Sequence, residues 1–422
     1  MKILFVNKYY HPRGGPEKVM FQEKSFLEKL NWKVLPFSMQ HPLNVDTPYS
    51  RYFISNVDYN GSNSFWNKSR MALNIFYSWE AKKKMESLLD EEKPDIVHIH
   101  NIYHQISPSI LPVLKKMNIP IVMTLHDFKL VCPNYTFLRK GKPCESCQGK
   151  HFYKAVIHRC VKDSYWASLV CSLETYFHRF LKIYQGCVDV FIVLSEFSKA
   201  KMVQYGIPEG KLLLLPNYID LLSNGSEKNL GEYVLFSGCL SEKNGIHALM
   251  QAMEKIKHVP LVVAGDGELL PSLKKYVAEK KLNNVTFAGF LSGEKLEQTI
   301  ENSMFMVFPT ICYHNCPMSI LESFSFGKPV VGSNLGSVPE LVENEVTGLL
   351  FEPKKVEDLA EKIRYLYQHP LLAQKMGMEA RKKVEEKYSA EEYYHKLLSI
   401  YQNLTRKASL KMTDTIPAVG CY

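Results

Sequence analysis

The stretch Pro309–Ser333 reads PTICYHNCPMSILESFSFGKPVVGS and lays out strand, loop, short helix and strand. Phe305–Pro309 is apolar and β-prone, and Tyr313–Pro317 is a polar loop closed by a proline. Ile320, Leu321 and Phe324 fall at helical spacing within Met318–Phe326, Gly327 stops the helix, and Pro329-Val-Val-Gly starts the next strand. A helix opening beside a parallel strand offers unpaired amides and the positive end of its dipole, which suits an anion. The amides of Ser319, Ile320 and Leu321 are placed to receive phosphate, and Glu322, one turn in, to hold ribose hydroxyls. The plainer alternative makes Glu322 a surface acid favoured by the helix dipole.

The same rhythm runs outward in both directions. Lys2–Asn7 reads as a buried strand, followed by His11-Pro-Arg-Gly-Gly-Pro-Glu and a helix with Val19, Glu23, Phe26, Leu27 and Leu30 at helical spacing. Gly14 and Gly15 let backbone approach a ligand, or simply make a tight turn. The turn is not the GxGxxG fingerprint, so no nicotinamide dinucleotide is implied. Two further strands end in His98, His100 and Asn101 and in Thr124-Leu-His126-Asp127. Polar residues gathered at the C-terminal ends of strands that alternate with helices describe an open parallel sheet with its site at that edge. A lone strand-end histidine is more often a structural hydrogen-bonding group than a functional one.

The alternation breaks at Leu221–Gly231, which contains Ser-Asn-Gly-Ser, and restarts at Tyr233–Gly238. The division expected is therefore a first domain over 1–220 with a cysteine-containing insertion at about 132–185, a linker at 221–231, and a second domain over 232–388. A helix over 389–405 returns to the first domain, ahead of a frayed tail at 406–422.

The combined wording resembles the large retaining glycosyltransferase family (group 1, family 4) that includes sucrose synthases and many polysaccharide and lipid glycosyltransferases. The resemblance is strongest over Asn101–Asn134 and Phe287–Val342, and within the family it is closest to bacterial enzymes of surface polysaccharides. It implies the GT-B fold, an α/β architecture of two doubly wound Rossmann-like domains facing across a cleft. It also implies transfer of a hexose from a nucleotide-diphosphate sugar to a glycan or lipid-linked acceptor, with retention and no cofactor for catalysis. Carried over residue by residue, His126 lies over the transferring sugar with Asp127 orienting it, and Glu322 holds the ribose. Gly14, Gly15, Gly238, Lys243, Phe290, His314, Ser319, Ile320 and Leu321 complete the donor site, with His100 and His104 toward the acceptor.

Three positions depart from the family pattern. Its Glu, seven residues, Glu signature has His314 at the first Glu, and Cys239 and Asn244 stand where Arg and Lys usually clamp the diphosphate, with Lys243 one place early. The alternative reading is a GT-B-shaped partner subunit that binds without catalysing transfer. A phosphorylase would need a lysine in a pyridoxal phosphate context, and none stands out.

Composition narrows the classes further. At 422 residues and 46% hydrophobic content the chain suits two cores. No long apolar run or signal-like start occurs, so a cytoplasmic protein is expected. The net charge of +9 comes without a zinc-finger repeat, an RNP-like motif or a basic-aromatic groove, and nucleic acid is not expected as a partner. From Arg139 to Gln185, nine Lys/Arg face three Asp/Glu and are interleaved with aromatics. That stretch is read as core helices first, and otherwise as a peripheral contact with an anionic inner membrane face. Cys132, Cys144, Cys147 and Cys160 are spaced C-x11-C-x2-C-x12-C, which fits a structural zinc, the alternative being free thiols.

Overall fold

Two runs of β-branched and aliphatic residues separated by amphipathic helices build two parallel sheets, each covered on both faces as all-parallel sheets require. The computed structural model describes residues 1–57, 59, 73–221 and 231–413, with side chains to 408. In the first half β1 (Lys2–Val6), β2 (Lys33–Phe37), β3 (Ile96–Ile99) and β4 (Ile121–Thr124) share a sheet with two later strands. A small hairpin of β5 (Leu138–Arg139) and β6 (Lys142–Pro143) intervenes before β7 (Val190–Val193) and β8 (Leu212–Leu214). The order is β2-β1-β3-β4-β7-β8, parallel throughout.

The second half holds β9 (Tyr233–Ser237), β10 (Leu261–Ala264), β11 (Val285–Gly289), β12 (Ser303–Phe308), β13 (Val330–Ser333) and β14 (Gly348–Phe351). Its order is β11-β10-β9-β12-β13-β14, again all parallel. The strand order therefore reverses between β1 and β3 in one sheet and between β9 and β12 in the other. Such reversals open crevices at the carboxyl ends of the strands, where open α/β sheets bind ligands.

The chain passes between halves through 222–230, so most of the expected linker lies outside the described residues. It crosses back at Ser389, bridged to Ile219, and the helix Ala390–Thr413 packs against the first half. That helix runs past Leu404 into what the sequence suggests is a frayed tail, because Tyr393, Leu397 and Tyr401 are buried along one face at i, i+4 and i+8. Three tyrosines tie it down: Tyr394 to Tyr218, Tyr393 to Glu23, and Tyr401 to His98 at 2.7 Å.

The helix Tyr165–Phe180 is inside out. Its buried face carries Ser168, Cys171, Ser172, Glu174, Thr175 and His178, while Trp166 (72%) and Phe180 (85%) are exposed together with Leu173 and Phe177. Glu174 tolerates burial because Lys129 (2.7 Å) and His104 (3.0 Å) reach it. The reading of this stretch as ordinary core helix is thus overturned: its aromatic side faces outward.

Candidate functional site

The carboxyl ends of both sheets open on one cleft of about 620 Å³. From the first half it is lined by Arg13, Gly14, Gly15, Pro16 and Lys18 after β1, by His126 after β4 and by Leu194 after β7. From the second half come Gly238, Cys239 and Asn244 after β9, Gly265 and Asp266 after β10, Phe290 after β11, and the run His314–Ser319 with Glu322 after β12.

Glycine is demanded where these loops touch. A side chain at Gly265 would place its Cβ 1.9 Å from the Gly238 carbonyl oxygen, and one at Gly245 (φ +70°) 1.7 Å from that of Pro309. The second half therefore meets the cleft largely with backbone.

The helix that opens this rim runs Met318–Ser325 with Pro317 at its cap. Met318, Ser319 and Glu322 line the cleft. The side chains of Ile320 and Leu321 do not: both are fully buried, so only their amides, as the sequence reading has it, could meet a phosphate, and that of Ile320 donates to the Pro317 carbonyl. The helical spacing that marked them as apolar face turns them into the core. Across the cleft Lys18 pairs with Glu322 at 2.6 Å.

Lys243 also falls outside the cleft lining. It is exposed, and its carbonyl accepts from the Ile311 amide (3.0 Å) and the Thr310 hydroxyl (3.1 Å). Asn244 and Cys239 line the cleft instead, with the Asn244 amide donating to the Cys239 carbonyl at 2.7 Å. The turn at Gly245 directs position 244, rather than 243, inward. His314 packs edge-on against Phe308 and lies 3.5 Å from the Cys312 sulfur. Burial, and then Lys243 nearby, lower its pKa to about 4, so it is neutral at pH 7.

His126 sits opposite, its Nε2 at 2.9 Å from His100 Nδ1 with the rings stacked. Burial, reinforced by His100, holds it well below the ordinary imidazole range. Asp127, expected to orient it, instead accepts from the Lys129 amide at 2.9 Å. His100 is fully buried behind His126, and His104 bonds Glu174 away from the cleft. Neither of the two lines the cleft: His100 is engaged by His126 and His104 by Glu174.

Asn315 was missed by the sequence reading. Its amide donates to the Leu125 carbonyl (3.0 Å) and its oxygen accepts from Ser198 (2.8 Å), so the loop after β12 is bolted to the first half. Asn217 to the Cys316 carbonyl and Tyr313 to Glu145 add to this dock. The signal was present, a polar loop of Tyr, His and Asn closed by proline, but nothing in the spacing said which side it would meet.

Cys132, Cys144, Cys147 and Cys160 are unpaired. Cys147 is pushed up to about 12 by burial and then by the other three thiols, so the four share one neighbourhood. Among the described residues, the sets with ligand atoms within 4.8 Å of one another are Glu23–His98–His100 and His104–Cys171–Glu174, and the four cysteines are not one of them.

With this geometry in place, comparison with known proteins is direct. Residues 13–221 match the model of Glycosyltransferase Family 4, and residues 223–383 that of Glycosyl transferases group 1. An uncharacterized glycosyltransferase of Methanocaldococcus jannaschii, MJ1178, is 22% identical over 96% of this chain and 99% of its own. The D-rhamnosyltransferase WbpZ of Pseudomonas aeruginosa is 29% identical over 40% of this chain and 45% of its own. Among solved structures, sucrose-phosphate synthase from Thermosynechococcus elongatus superposes with a TM-score of 0.71 at 18% identity, covering 96% of this chain and 99% of that one. Anabaena HepE in complex with UDP and glucose gives 0.66 at 16% identity, covering 96% and 100%. The chain belongs to the group 1 glycosyltransferases of the family 4 type, with two Rossmann-like halves in the GT-B fold.

Proposed function

We propose that the protein transfers a hexose from a nucleotide-diphosphate donor, with retention, to a glycan or lipid-linked acceptor in surface polysaccharide synthesis. The observation that carries this is the meeting of Glu322 and the Met318–Ser325 helix start with His126 across one cleft. Glu322 takes the ribose hydroxyls, exchanging Lys18 for the nucleotide, and Phe290 lies against the base. The opening amides of the helix at Met318 and Ser319 hold the diphosphate, whose growing charge the helix dipole offsets. Gly14 and Gly15 leave room for the sugar, and His126 bears on it. The docked loop after β12 keeps the halves closed and water out, favouring transfer over hydrolysis. The nucleotide named with the HepE structure and the sugar transfer named for WbpZ support the donor class. A panel of nucleotide sugars tests it: the true donor raises the melting temperature by mass action, and no shift with any of them counts against the reading.

The inside-out helix favours a lipid-borne acceptor. Trp166, Leu173, Phe177 and Phe180 are exposed on it, with Lys150, Arg159, Lys162 and Lys182 exposed nearby. An apolar stripe flanked by cations suits the surface of an anionic bilayer. No helix among the described residues is long and apolar enough to cross a membrane. Salt-sensitive pelleting with anionic vesicles, abolished by Trp166→Ser with Phe180→Ser, is the expected result.

Zinc on Cys132, Cys144, Cys147 and Cys160 belongs to the same proposal, as a staple for an insertion that reaches the donor loop. Glu145, between two of these cysteines, accepts from Tyr313 at 2.9 Å and pairs with Lys201 at 2.6 Å. Binding would draw the four sulfurs together onto a tetrahedral ion. Protein purified without added metal should contain about one zinc per chain. Absence of zinc, with all four thiols titrating in the native state, overturns it.

A further inference from the structure

Behind His126 lies a file of polar groups that the donor site does not use. Glu23, His98 and His100 are all fully buried. One oxygen of Glu23 accepts from the Tyr393 hydroxyl of the C-terminal helix. The other, Oε2, lies 3.3 Å from His98 Nδ1 and 3.5 Å from His100 Nε2. His98 is otherwise engaged, by Tyr401 at Nδ1 (2.7 Å) and Thr124 at Nε2 (2.8 Å). His100 Nδ1 then reaches His126 Nε2 at 2.9 Å. The file thus runs from a tyrosine on the returning helix, through a buried carboxylate and an imidazole, to the histidine that lines the cleft.

The protons along it follow from elementary electrostatics. A lone pair on His100 Nε2 facing a carboxylate oxygen in a dry core would be repulsive, and neither atom has another hydrogen-bond partner: Glu23 Oε2 is nearer to His98 Nδ1, but Tyr401 engages that nitrogen. The proton of neutral His100 therefore sits on Nε2. Its Nδ1 is then a bare acceptor, and His126 must supply the proton between them from its own Nε2. That leaves His126 Nδ1 unprotonated.

We propose that Glu23 and His100 are positioning residues that lock His126 as its Nε2–H tautomer, so that it meets a cleft ligand with Nδ1 as a hydrogen-bond acceptor. Resting on the reading of His126 as a sugar contact, the ligand group is a hydroxyl of the donor sugar, which donates to Nδ1. The docking of the C-terminal helix matters to the cleft because Tyr393 holds the carboxylate that starts the file.

The test is the tautomer itself, read by long-range proton–nitrogen correlation on the full chain labelled with nitrogen-15 histidine at pH 8, without ligand. His126 is assigned by the resonances lost in His126→Gln. Native protein should show a pyrrole-type Nε2 and a pyridine-type Nδ1 on His126. The opposite pattern overturns the proposal with no variant required. In Glu23→Gln the Tyr393 hydroxyl keeps the amide oxygen, the NH2 turns to His100 Nε2, and the file reverses. His126 should then switch to Nδ1–H and kcat should fall by about tenfold or more, with KM changing less. An unchanged His126 tautomer in a folded Glu23→Gln protein also overturns it. A switched tautomer with unaltered transfer would instead remove the sugar contact from the proposed function and leave the file standing.

Discussion

The two rims of the cleft are built by opposite means. The first half presents His126 beside Arg13 and Lys18, and backs His126 with interlocked, fully buried titratable groups tied to the C-terminal helix. The second half presents glycine-rich backbone and a helix start, and beside the carboxylates of Asp266 and Glu322 it offers Cys239, Asn244 and a His314 that is neutral at pH 7. A rim of interlocked side chains fails when one member is changed. A rim of backbone dipoles tolerates side-chain exchange, which explains how the positions expected to carry Arg, Lys and Glu could drift while the architecture persists.

The sharpest way to break this comparison is on the rigid rim. His126→Ala should lower kcat by about 100-fold while nucleotide affinity stays within about twofold, since the residue acts on the sugar alone. Steady-state transfer and calorimetric titration of the nucleotide check it. A matched loss of affinity would place His126 in donor binding instead.

On the backbone rim Glu322, which Lys18 pairs with across the cleft, should dominate. Glu322→Ala removes charge-assisted bonds worth about 1.5–3 kcal/mol, so nucleotide affinity should fall about 10–100-fold. Lys18→Ala, which frees that carboxylate, should move affinity the other way by about twofold, because an exposed ion pair is weak.

A gain is expected where the family pattern is restored. Cys239→Arg with Asn244→Lys should tighten donor binding by about tenfold through renewed contact with the diphosphate. If native protein transfers nothing from any donor and this variant does, the native chain is a binding subunit and the backbone rim is not sufficient for chemistry.

Much of this was legible in the sequence. Strand and helix alternation, the two halves and the positions of Gly14, Gly15, His126, Ser319 and Glu322 followed from periodicity, turn residues and the wording of two motifs. The burial of the Ile320 and Leu321 side chains was legible too, in their helical spacing, and leaves to those two residues only the amides that the reading assigned to phosphate. Lys243 was misplaced because the left-handed turn at Gly245, invisible to charge counting, sets which neighbour points inward. Glu23 was visible as an acid on an apolar helix face, between Val19 and Leu27, yet its partners come from β3 and from a helix about 370 residues away in sequence. The inside-out helix Tyr165–Phe180 was unreadable for a related reason. Its buried acid needs Lys129 and His104, and only tertiary structure brings those in.

The smallest effect separates the rims by acid. A histidine buried in neutral form has a folded pKa below its unfolded value near 6.5, so the unfolded chain binds the proton first. Stability is then complete above about pH 6.5 and declines as pH falls toward the folded pKa. For His314 that window runs from about 6.5 down to about 4. His98 and His126 are also lowered, chiefly by burial, so native protein should lose stability in mild acid through both rims. His314→Gln removes only the second half's share and should narrow the drop in melting temperature between pH 7 and pH 5 by about 1–3 °C. Its partial exposure limits the effect, because water at the cleft mouth can solvate the charged ring. His98→Asn should narrow the same drop while lowering the melting temperature at pH 7, since it also strips Tyr401 and Glu23 of a partner. Equal acid profiles for native protein and His314→Gln would mean that the backbone rim stores no proton-linked stability and that acid acts on the first half alone.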